Sequence, residues 1–264
     1  MKSLVLVKQV PSADSPFRLN SSGTWIEEGN LTFGLNDYDR YALEALLKLK
    51  DAGKVAEVVA LTVGPERAAT VLRTCLATGA DRAIHVKDAA LEGSDPLSLA
   101  KVIKAAIQGE GFSLIMAGLQ ADDDNYGQIG PLLARLLDRP SATAAMGLEL
   151  RDGTTVRVER EMENNRLLVV DLTLPAVITV QTGINEPRYA SLKGIMAAKK
   201  KEIRTVALKD LGLDAAEVGG RAARLRTVRL ASPPKGKGAE ILKGPADEIA
   251  RELVKRIREK TGVI

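Results

Sequence analysis

The residues best suited to chemistry lie in one stretch, GLQADDDNYGQIGP at positions 118–131. Glycines and small residues ahead of a helix let backbone N–H groups approach a phosphate, whose charge the helix N-terminus favours. Three successive aspartates, Asp122, Asp123 and Asp124, could hydrogen-bond ribose hydroxyls or adenine, or could cap the helix. They could also bind a cation, although the EF-hand spacing is missing. The stretch therefore predicts a nucleotide loop, with a helix cap and a metal site as alternatives.

No set of catalytic residues accompanies this loop. Cys75 is the only cysteine and lies in an apolar helical pattern, so we expect a buried side chain without a disulfide or thiolate metal site. His85, the only histidine, lies in the strand-like run RAIHV and is expected to be structural. Neither GxGxxG nor GxxxxGK[ST] is present. The sequence therefore predicts a binding module whose chemistry belongs to a cofactor.

Composition excludes several other classes of protein. Apolar residues make up 45% and charged residues 27% of 264 positions, which is typical of a folded chain. A net charge of +4 and only one Trp, four Tyr and three Phe give no indication of nucleic-acid binding. The apolar run in MKSLVLVKQVPS is too short for a signal peptide or a membrane span, so a cytoplasmic location is expected.

Strand-like and helical patterns alternate along the first half of the chain. Strands are predicted at 3–10, 55–63, 82–86 and 112–118, and helices at 37–53, 65–80, 94–111 and 126–138. This alternation predicts an α/β fold with a mostly parallel sheet flanked by helices. Ligands of such sheets bind beyond the carboxyl ends of the strands, where the 118–131 loop lies. Four further strand-like runs at 142–180, without helices between them, predict an antiparallel extension.

The pattern changes again towards the C-terminus. Residues 202–245 lack a sustained period and contain GG, SPPKGKG and KGP, and a last amphipathic helix is predicted at 245–260. A segment this long and irregular is unusual inside a compact domain. We therefore predict an α/β core over 1–201 and an extended C-terminal arm over 202–264 that packs on another protein.

These segments together resemble the β subunit of an electron-transfer flavoprotein over essentially the full length. The resemblance is carried by LVLVKQVP, Asn36 ahead of ALEALLKLK, ALTVGP, ATGADRAIHV, GLQADDD with GQIG, VERE with LPAVITV, and NEPRYASLKGIMAAKKK. It implies that the α/β fold is Rossmann-like and binds an adenine nucleotide. It also implies an αβ heterodimer with one redox-active FAD, held mainly by the α subunit, and a structural AMP in the β subunit. The implied nucleotide-site residues are Leu6, Asn36, Asp37, Tyr38, Asp39, Val63, Gly118, Leu119, Gln120, Ala121, Asp122, Asp123, Asp124, Asn125, Tyr126, Gly127, Gln128 and Ile129.

The resemblance also implies partners. Residues 184–201 correspond to the family's recognition loop, in which Leu192 enters an apolar pocket on dehydrogenases such as acyl-CoA dehydrogenases. Electrons then pass to a membrane quinone oxidoreductase, so an electron carrier and not a stand-alone enzyme is expected. Glu161 corresponds to a glutamate that meets a mobile flavin-bearing domain of the α subunit. The other implied partner-binding residues are Arg188, Tyr189, Ile195 and Met196.

Two alternatives stay open. From the residues alone, Ile195 and Met196 are expected in a core helix beginning at Tyr189, with the lysines at 199–201 serving as surface charge or steering a partner. Ile129-Gly130-Pro131 is similar to the Val-Gly-Pro of electron-bifurcating relatives, whose β subunit holds a second FAD and receives electrons from NADH. Asn125-Tyr126 departs from those relatives. The AMP and the second FAD are therefore both candidate ligands.

Overall fold

The apolar runs of the sequence become the strands of one nine-stranded sheet. A computed structural model describes residues 1–234, 236 and 238–262. The sheet has the order β11-β5-β4-β1-β6-β10-β7-β8-β9, and β2 and β3 form a separate antiparallel pair. The strands are β1 (Lys2–Leu6), β2 (Gln9–Pro11), β3 (Phe33–Leu35), β4 (Glu57–Val63), β5 (Arg82–Val86), β6 (Leu114–Gly118), β7 (Ser141–Leu150), β8 (Thr155–Met162), β9 (Arg166–Thr173), β10 (Ala176–Val180) and β11 (Ile203–Val206).

Helices cover both faces of the parallel part of this sheet. The helices that do so are α1 (Asp37–Asp51), α2 (Ala69–Thr78), α3 (Pro96–Ala106) and α4 (Ile129–Leu137). Helix α5 (Leu192–Ala198) packs on α2, and α6 (Ala246–Thr261) lies near the C-terminus. Alternate residues of a strand point to opposite faces. Val5 accordingly packs in the core with Leu46 of α1 and Leu72 of α2, and Leu4 packs in the core with Ile103 of α3 and Leu133 of α4. The predicted α/β class, with its sheet flanked by helices, is confirmed.

The antiparallel extension is shorter than predicted. Strands β7, β8 and β9 pair antiparallel, but the fourth predicted run, β10, lies between β6 and β7 and is parallel to both. All five residues of β10 are buried. A continuous apolar run such as AVITV is what a strand covered on both faces requires. The prediction that it belongs to an antiparallel set was therefore wrong.

Residues 202–245 are also more ordered than their pattern indicates. Strand β11 pairs parallel with β5 at the sheet edge, and the side chain of Val218 is fully buried. A Cβ on Gly219 would lie 1.9 Å from the carbonyl oxygen of Ala90, so this segment packs closely on the core. Helix α6, by contrast, has no buried residue. The boundary at residue 201 stays a prediction.

No helix in the described ranges combines the length and the apolar character needed to cross a bilayer.

The predicted structural roles of the only cysteine and histidine agree with their surroundings. Cys75 is fully buried in α2, and burial raises the pKa of its thiol to about 12. The ring Nε2 of buried His85 lies 3.0 Å from the carbonyl oxygen of Gly64.

Candidate functional site

The strand order of the sheet reverses between β1 and β6. From β1 the chain continues to β4 and β5 on one side, and then returns to β6 on the other side of β1. The loops that follow β1 and β6 diverge at such a point and leave a crevice beyond the carboxyl ends of the strands. A cleft with a cavity volume of about 150 Å³ lies there.

Most of the predicted nucleotide-site residues line this cleft. They are Leu6, Asn36, Asp39, Val63, Gly118, Leu119, Gln120, Ala121, Asp124, Tyr126, Gly127, Gln128 and Ile129. The remaining five, Asp37, Tyr38, Asp122, Asp123 and Asn125, are absent from the lining. Three of these five nevertheless help to hold the loop, through contacts described below.

One wall of the cleft was missed by the sequence reasoning. Residues at the start of α3 and over its next two turns, Ser94, Pro96, Leu99 and Ile103, face the cleft together with Leu61 of β4. The signal that could have found this wall is Ser-Asp-Pro at 94–96, which opens a helix following a parallel strand. The start of that helix must lie at the same edge of the sheet as the 118–131 loop.

The side chain of Asn36 ties the loop to the start of α1. Its Nδ2 donates to the carbonyl oxygen of Gln120 at 2.9 Å, and its Oδ1 accepts from the backbone N–H of Asp122 at 3.0 Å. The residue is 1% exposed. The Asn36 amide thus pairs with one backbone carbonyl and one backbone N–H, as a neighbouring strand would, and it holds residues 120–122 in place.

The three aspartates of the loop have different roles. Oδ2 of Asp122 accepts from the backbone N–H of Asp37 at 3.1 Å, in the first turn of α1. Asp123 and Asp124 both bind Nζ of Lys8, at 2.6 and 2.8 Å. Burial disfavours the charged form of Lys8, but the two carboxylates outweigh this effect and raise its pKa.

The contacts of the three aspartates bear on the helix-cap and metal-site alternatives. The aspartate that meets a helix N-terminus is Asp122, and the helix is the preceding α1 instead of the following α4. Asp124 also accepts from the backbone N–H of Tyr126, at 3.0 Å. Within the described residues no group of His, Cys, Asp and Glu is arranged to hold a metal ion.

Asp39 joins the ends of β1 and β6 beneath the cleft. Its Oδ2 accepts from the N–H of Lys8 at 2.8 Å, and its Oδ1 accepts from the N–H of Gly118 at 2.9 Å. Burial raises the pKa of this carboxyl group to about 7, against the opposing effect of both hydrogen bonds. A Cβ on Gly118 would lie 2.5 Å from Cβ of Tyr38, so only glycine lets α1 approach β6 this closely.

The start of α4 is available to an anion. Its N-cap residue, Gln128, makes no side-chain cap hydrogen bond, and Gly127, Gln128 and Ile129 all line the cleft. By contrast, the N-terminus of α3 is capped by Asp95, which accepts from the N–H of Ser98 at 2.8 Å. First-turn N–H groups without a cap attract phosphate. Apolar walls beside such a helix start can hold a base and a phosphate together.

The predicted recognition residues form an exposed surface on and before α5. Leu192 is 78% exposed, Tyr189 91%, Met196 57% and Ile195 46%. The expectation from the residues alone that Ile195 and Met196 lie in the core was wrong. The helix also begins at Leu192, three residues later than predicted, because Oγ of Ser191 accepts from the N–H of Gly194 and caps it.

The other two predicted partner-binding residues already have contacts within the chain. Arg188 forms ion pairs with Glu44 and Asp51 of α1. Glu161 lies exposed on β8, where its Oε2 accepts from Nε2 of Gln181 at 2.9 Å. A role for either residue in binding a partner stays a prediction.

The fold and the cleft define a doubly wound α/β protein with a binding crevice at the point where its strand order reverses. The electron transfer flavoprotein domain family matches residues 24–211. The chain is 38% identical to electron transfer flavoprotein subunit beta of Methylophilus methylotrophus, over 99% of this chain and 100% of that protein. It is 39% identical to the subunit beta of Bradyrhizobium diazoefficiens over 100% of both chains, and 38% identical to that of Bacillus subtilis over 90% of this chain and 91% of the relative. The chain belongs to the electron-transfer flavoprotein β-subunit family, which confirms the resemblance.

Proposed function

We propose that this chain assembles with an α subunit into a heterodimeric electron-transfer flavoprotein. The heterodimer accepts electrons from dehydrogenases, such as acyl-CoA dehydrogenases, and passes them to a membrane quinone oxidoreductase. The redox-active FAD is shared and is held mainly by the α subunit. The β subunit is then a cytoplasmic electron-carrier component that completes the flavin site and docks the partner. Family membership over the whole chain supports this proposal.

The single observation that carries the docking role is the exposure of Leu192. This side chain is 78% exposed at the first position of α5, and Ile195 and Met196 are exposed near it. Lys193, Lys199 and Lys200 are also exposed on this short segment. An apolar anchor with a charged rim is what a transient docking surface needs.

The C-terminal helix supports assembly with the α subunit. Leu253 and Val254 of α6 are 49% and 41% exposed, and no residue of the helix is buried. An exposed apolar stripe on an otherwise unpacked helix is typical of a surface that another protein covers. We propose that the α subunit is that surface.

The cleft between β1 and β6 is the proposed site of a structural AMP. The apolar walls suit an adenine ring, and the start of α4 suits a phosphate. Asp124 and Gln128 line the same cleft and are the proposed partners of the ribose. The nucleotide has no redox role in this proposal, and its binding energy stabilises the folded subunit.

The second candidate is an electron-bifurcating subunit that oxidises NADH at a second FAD in this cleft. It rests on Ile129-Gly130-Pro131. A Cβ on Gly130 would lie 2.2 Å from Cγ2 of Thr179 in β10, so packing of α4 on the sheet is sufficient to require this glycine. Because the glycine has a packing reason, it favours a second flavin less strongly than the sequence alone indicates.

Co-expression with an α subunit tests the proposed function. We expect a yellow one-to-one complex that an acyl-CoA dehydrogenase reduces in the presence of its acyl-CoA substrate. Expressed alone, the chain should be poorly soluble or flavin-poor, because α6 lacks a covering surface. A stable, FAD-saturated single chain would contradict the assembly, and a complex reduced by NADH at two flavins would favour the second candidate.

A further inference from the structure

Arg188 fastens the segment 184–201, which contains α5, to helix α1. Its Nε binds Oε2 of Glu44 at 2.8 Å and its Nη2 binds Oε1 of Glu44 at 3.0 Å, while the backbone N–H of Arg188 donates to Oε2 at 3.2 Å. Nη2 also binds Oδ2 of Asp51 at 2.6 Å. Two N–H groups of the guanidinium therefore bind the two oxygens of one carboxylate. This bidentate pairing fixes the orientation of the Arg188 side chain as well as its distance from Glu44.

The ion pair fixes the position of the segment because the Glu44 carboxylate is buried. The side chain of Glu44 is 3% exposed, whereas that of Arg188 is 35% exposed. A buried carboxylate is costly without a partner, so Glu44 strongly favours the conformation that brings Arg188 to it. The hydrogen bonds to Glu44 and then to Asp51 raise the pKa of the Arg188 guanidinium. Close by, Nδ2 of Asn185 donates to the carbonyl oxygen of Tyr41 at 3.0 Å.

Side-chain packing beneath the segment is incomplete. A cavity of about 210 Å³ lies between α1, α2 and residues 187–190, with Glu44, Thr74, Thr78 and Arg188 among its lining residues. Tyr189, directly after the arginine, is 91% exposed and contributes little packing. Polar ties, and not a filled core, therefore hold this end of the segment.

The other end of the segment is tied to α2. Nη1 of Arg73 donates to the carbonyl oxygens of Ala198 and Lys201, at 2.7 and 2.9 Å. A Cβ on Gly194 would lie 2.2 Å from the carbonyl oxygen of Ala77, so α5 lies directly on α2. Leu192 stands between these two attachments and remains exposed.

We propose that Arg188 is a positioning residue, which acts through buried Glu44 to hold Leu192 ready for a partner. This inference rests on the proposed docking function and deepens it. A segment that is already ordered loses less conformational entropy on binding than a free one. Arg188 then strengthens docking without contributing its own charge to the partner.

The test uses the αβ heterodimer as electron acceptor for an acyl-CoA dehydrogenase reduced by its acyl-CoA substrate. Glu44→Gln removes the buried charge and leaves the exposed docking surface unchanged. We expect the apparent KM for the heterodimer to rise roughly three- to tenfold with kcat retained, the size of effect that freeing a few side chains produces. Glu57→Gln is the matched control, because it breaks the ion pair with Arg82 at the amino end of β4. Its KM should not change.

Two further variants separate positioning from direct contact. Arg188→Lys keeps the positive charge but cannot form the fork, and we expect the same rise in KM as in Glu44→Gln. A wild-type KM in either variant would overturn the inference, because positioning requires both the buried carboxylate and the guanidinium. If Glu44→Gln yields no flavin-loaded complex, Asp51→Asn replaces it with an expected rise of about twofold, and an unchanged KM there would also overturn the inference.

A double variant distinguishes failure of this inference from failure of the proposed function. If Glu44 acts only by placing Leu192, then Glu44→Gln should add little to the rise in KM already caused by Leu192→Ala. Fully additive effects would contradict positioning. A rise in Leu192→Ala without any rise in Glu44→Gln refutes the positioning role alone. An unchanged KM in Leu192→Ala refutes the docking function itself, and the inference with it.

Discussion

Replacing Leu192 by alanine should weaken partner docking and leave the fold of the subunit nearly intact. The side chain is 78% exposed in the free chain. Full burial of a leucine contributes about 1.5–3 kcal/mol, so covering the remaining surface in a partner's pocket contributes about 1–2 kcal/mol. The apparent affinity for the dehydrogenase should therefore fall about five- to thirtyfold. The free energy of unfolding should change by less than about 0.5 kcal/mol, as is usual for exposed positions.

Two measurements on the heterodimer separate docking from stability. Flavin reduction by increasing concentrations of a reduced acyl-CoA dehydrogenase gives the apparent affinity, and thermal melting gives the stability. Leu72→Ala is the matched control, because Leu72 of α2 is fully buried. It should lose about 2–5 kcal/mol of stability and retain its affinity. A large fall in melting temperature for Leu192→Ala, with unchanged affinity, would show that Leu192 supports the fold and does not dock the partner.

Three further predictions concern the cleft. Asn36→Ala leaves a carbonyl and an N–H of the loop without their partner. The free energy of unfolding, followed by thermal melting, should fall by about 1–3 kcal/mol, and the nucleotide content should fall with it. Full nucleotide retention would contradict this role. The folded-state pKa of Asp39 is raised to about 7. Its stabilising contribution is therefore present at low pH and is lost as pH rises from about 4 to 7, a loss on the order of 4 kcal/mol. Wild type should therefore lose more stability than Asp39→Asn between pH 5 and 8, and parallel profiles would contradict the shift. Gly118→Ala forces a Cβ against Tyr38, so the free energy of unfolding should fall by about 1–3 kcal/mol and nucleotide should be lost. Gly29→Ala is the control and should be neutral, because its Cβ would meet no atom within 4 Å. Equal melting temperatures for the two variants would contradict the close packing at Gly118.

The sequence predicts the class of the fold because its local periods are strong. Helical spacing in ALEALLKLK and the buried run ALTV are readable without any long-range information, and alternation of such units implies a parallel sheet. The 118–131 loop was found for a similar reason, since its glycines and aspartates are adjacent in the chain. Most of its predicted residues line the cleft.

Contacts between distant segments could not be predicted in this way. The amide of Asn36 meets Gln120, 84 residues away, and Arg188 meets Glu44, 144 residues away. The insertion of β10 between β6 and β7 is a pairing between strands that are distant in the chain, so no local pattern predicts it. Strand β11 is only four residues long, too short for a period to identify.

The exposure of Ile195 and Met196 could not be predicted for a different reason. A short apolar helix has the same sequence pattern whether a core or a partner covers it. Only the packing of α5 on α2 through Gly194 shows which residues face outward. In this segment the resemblance to a family and the residues alone gave opposite expectations, and the observed exposure agrees with the former.

The proposed role of the cleft is tested most simply by identifying the nucleotides in the purified αβ heterodimer. The complex is denatured, and the released nucleotides are identified and quantified by mass spectrometry. We predict one FAD and one AMP per heterodimer, with the AMP lost from the Asn36→Ala complex while the FAD is retained. Two FAD per heterodimer, or no nucleotide other than a single FAD, would contradict the assignment of the cleft between β1 and β6 to AMP.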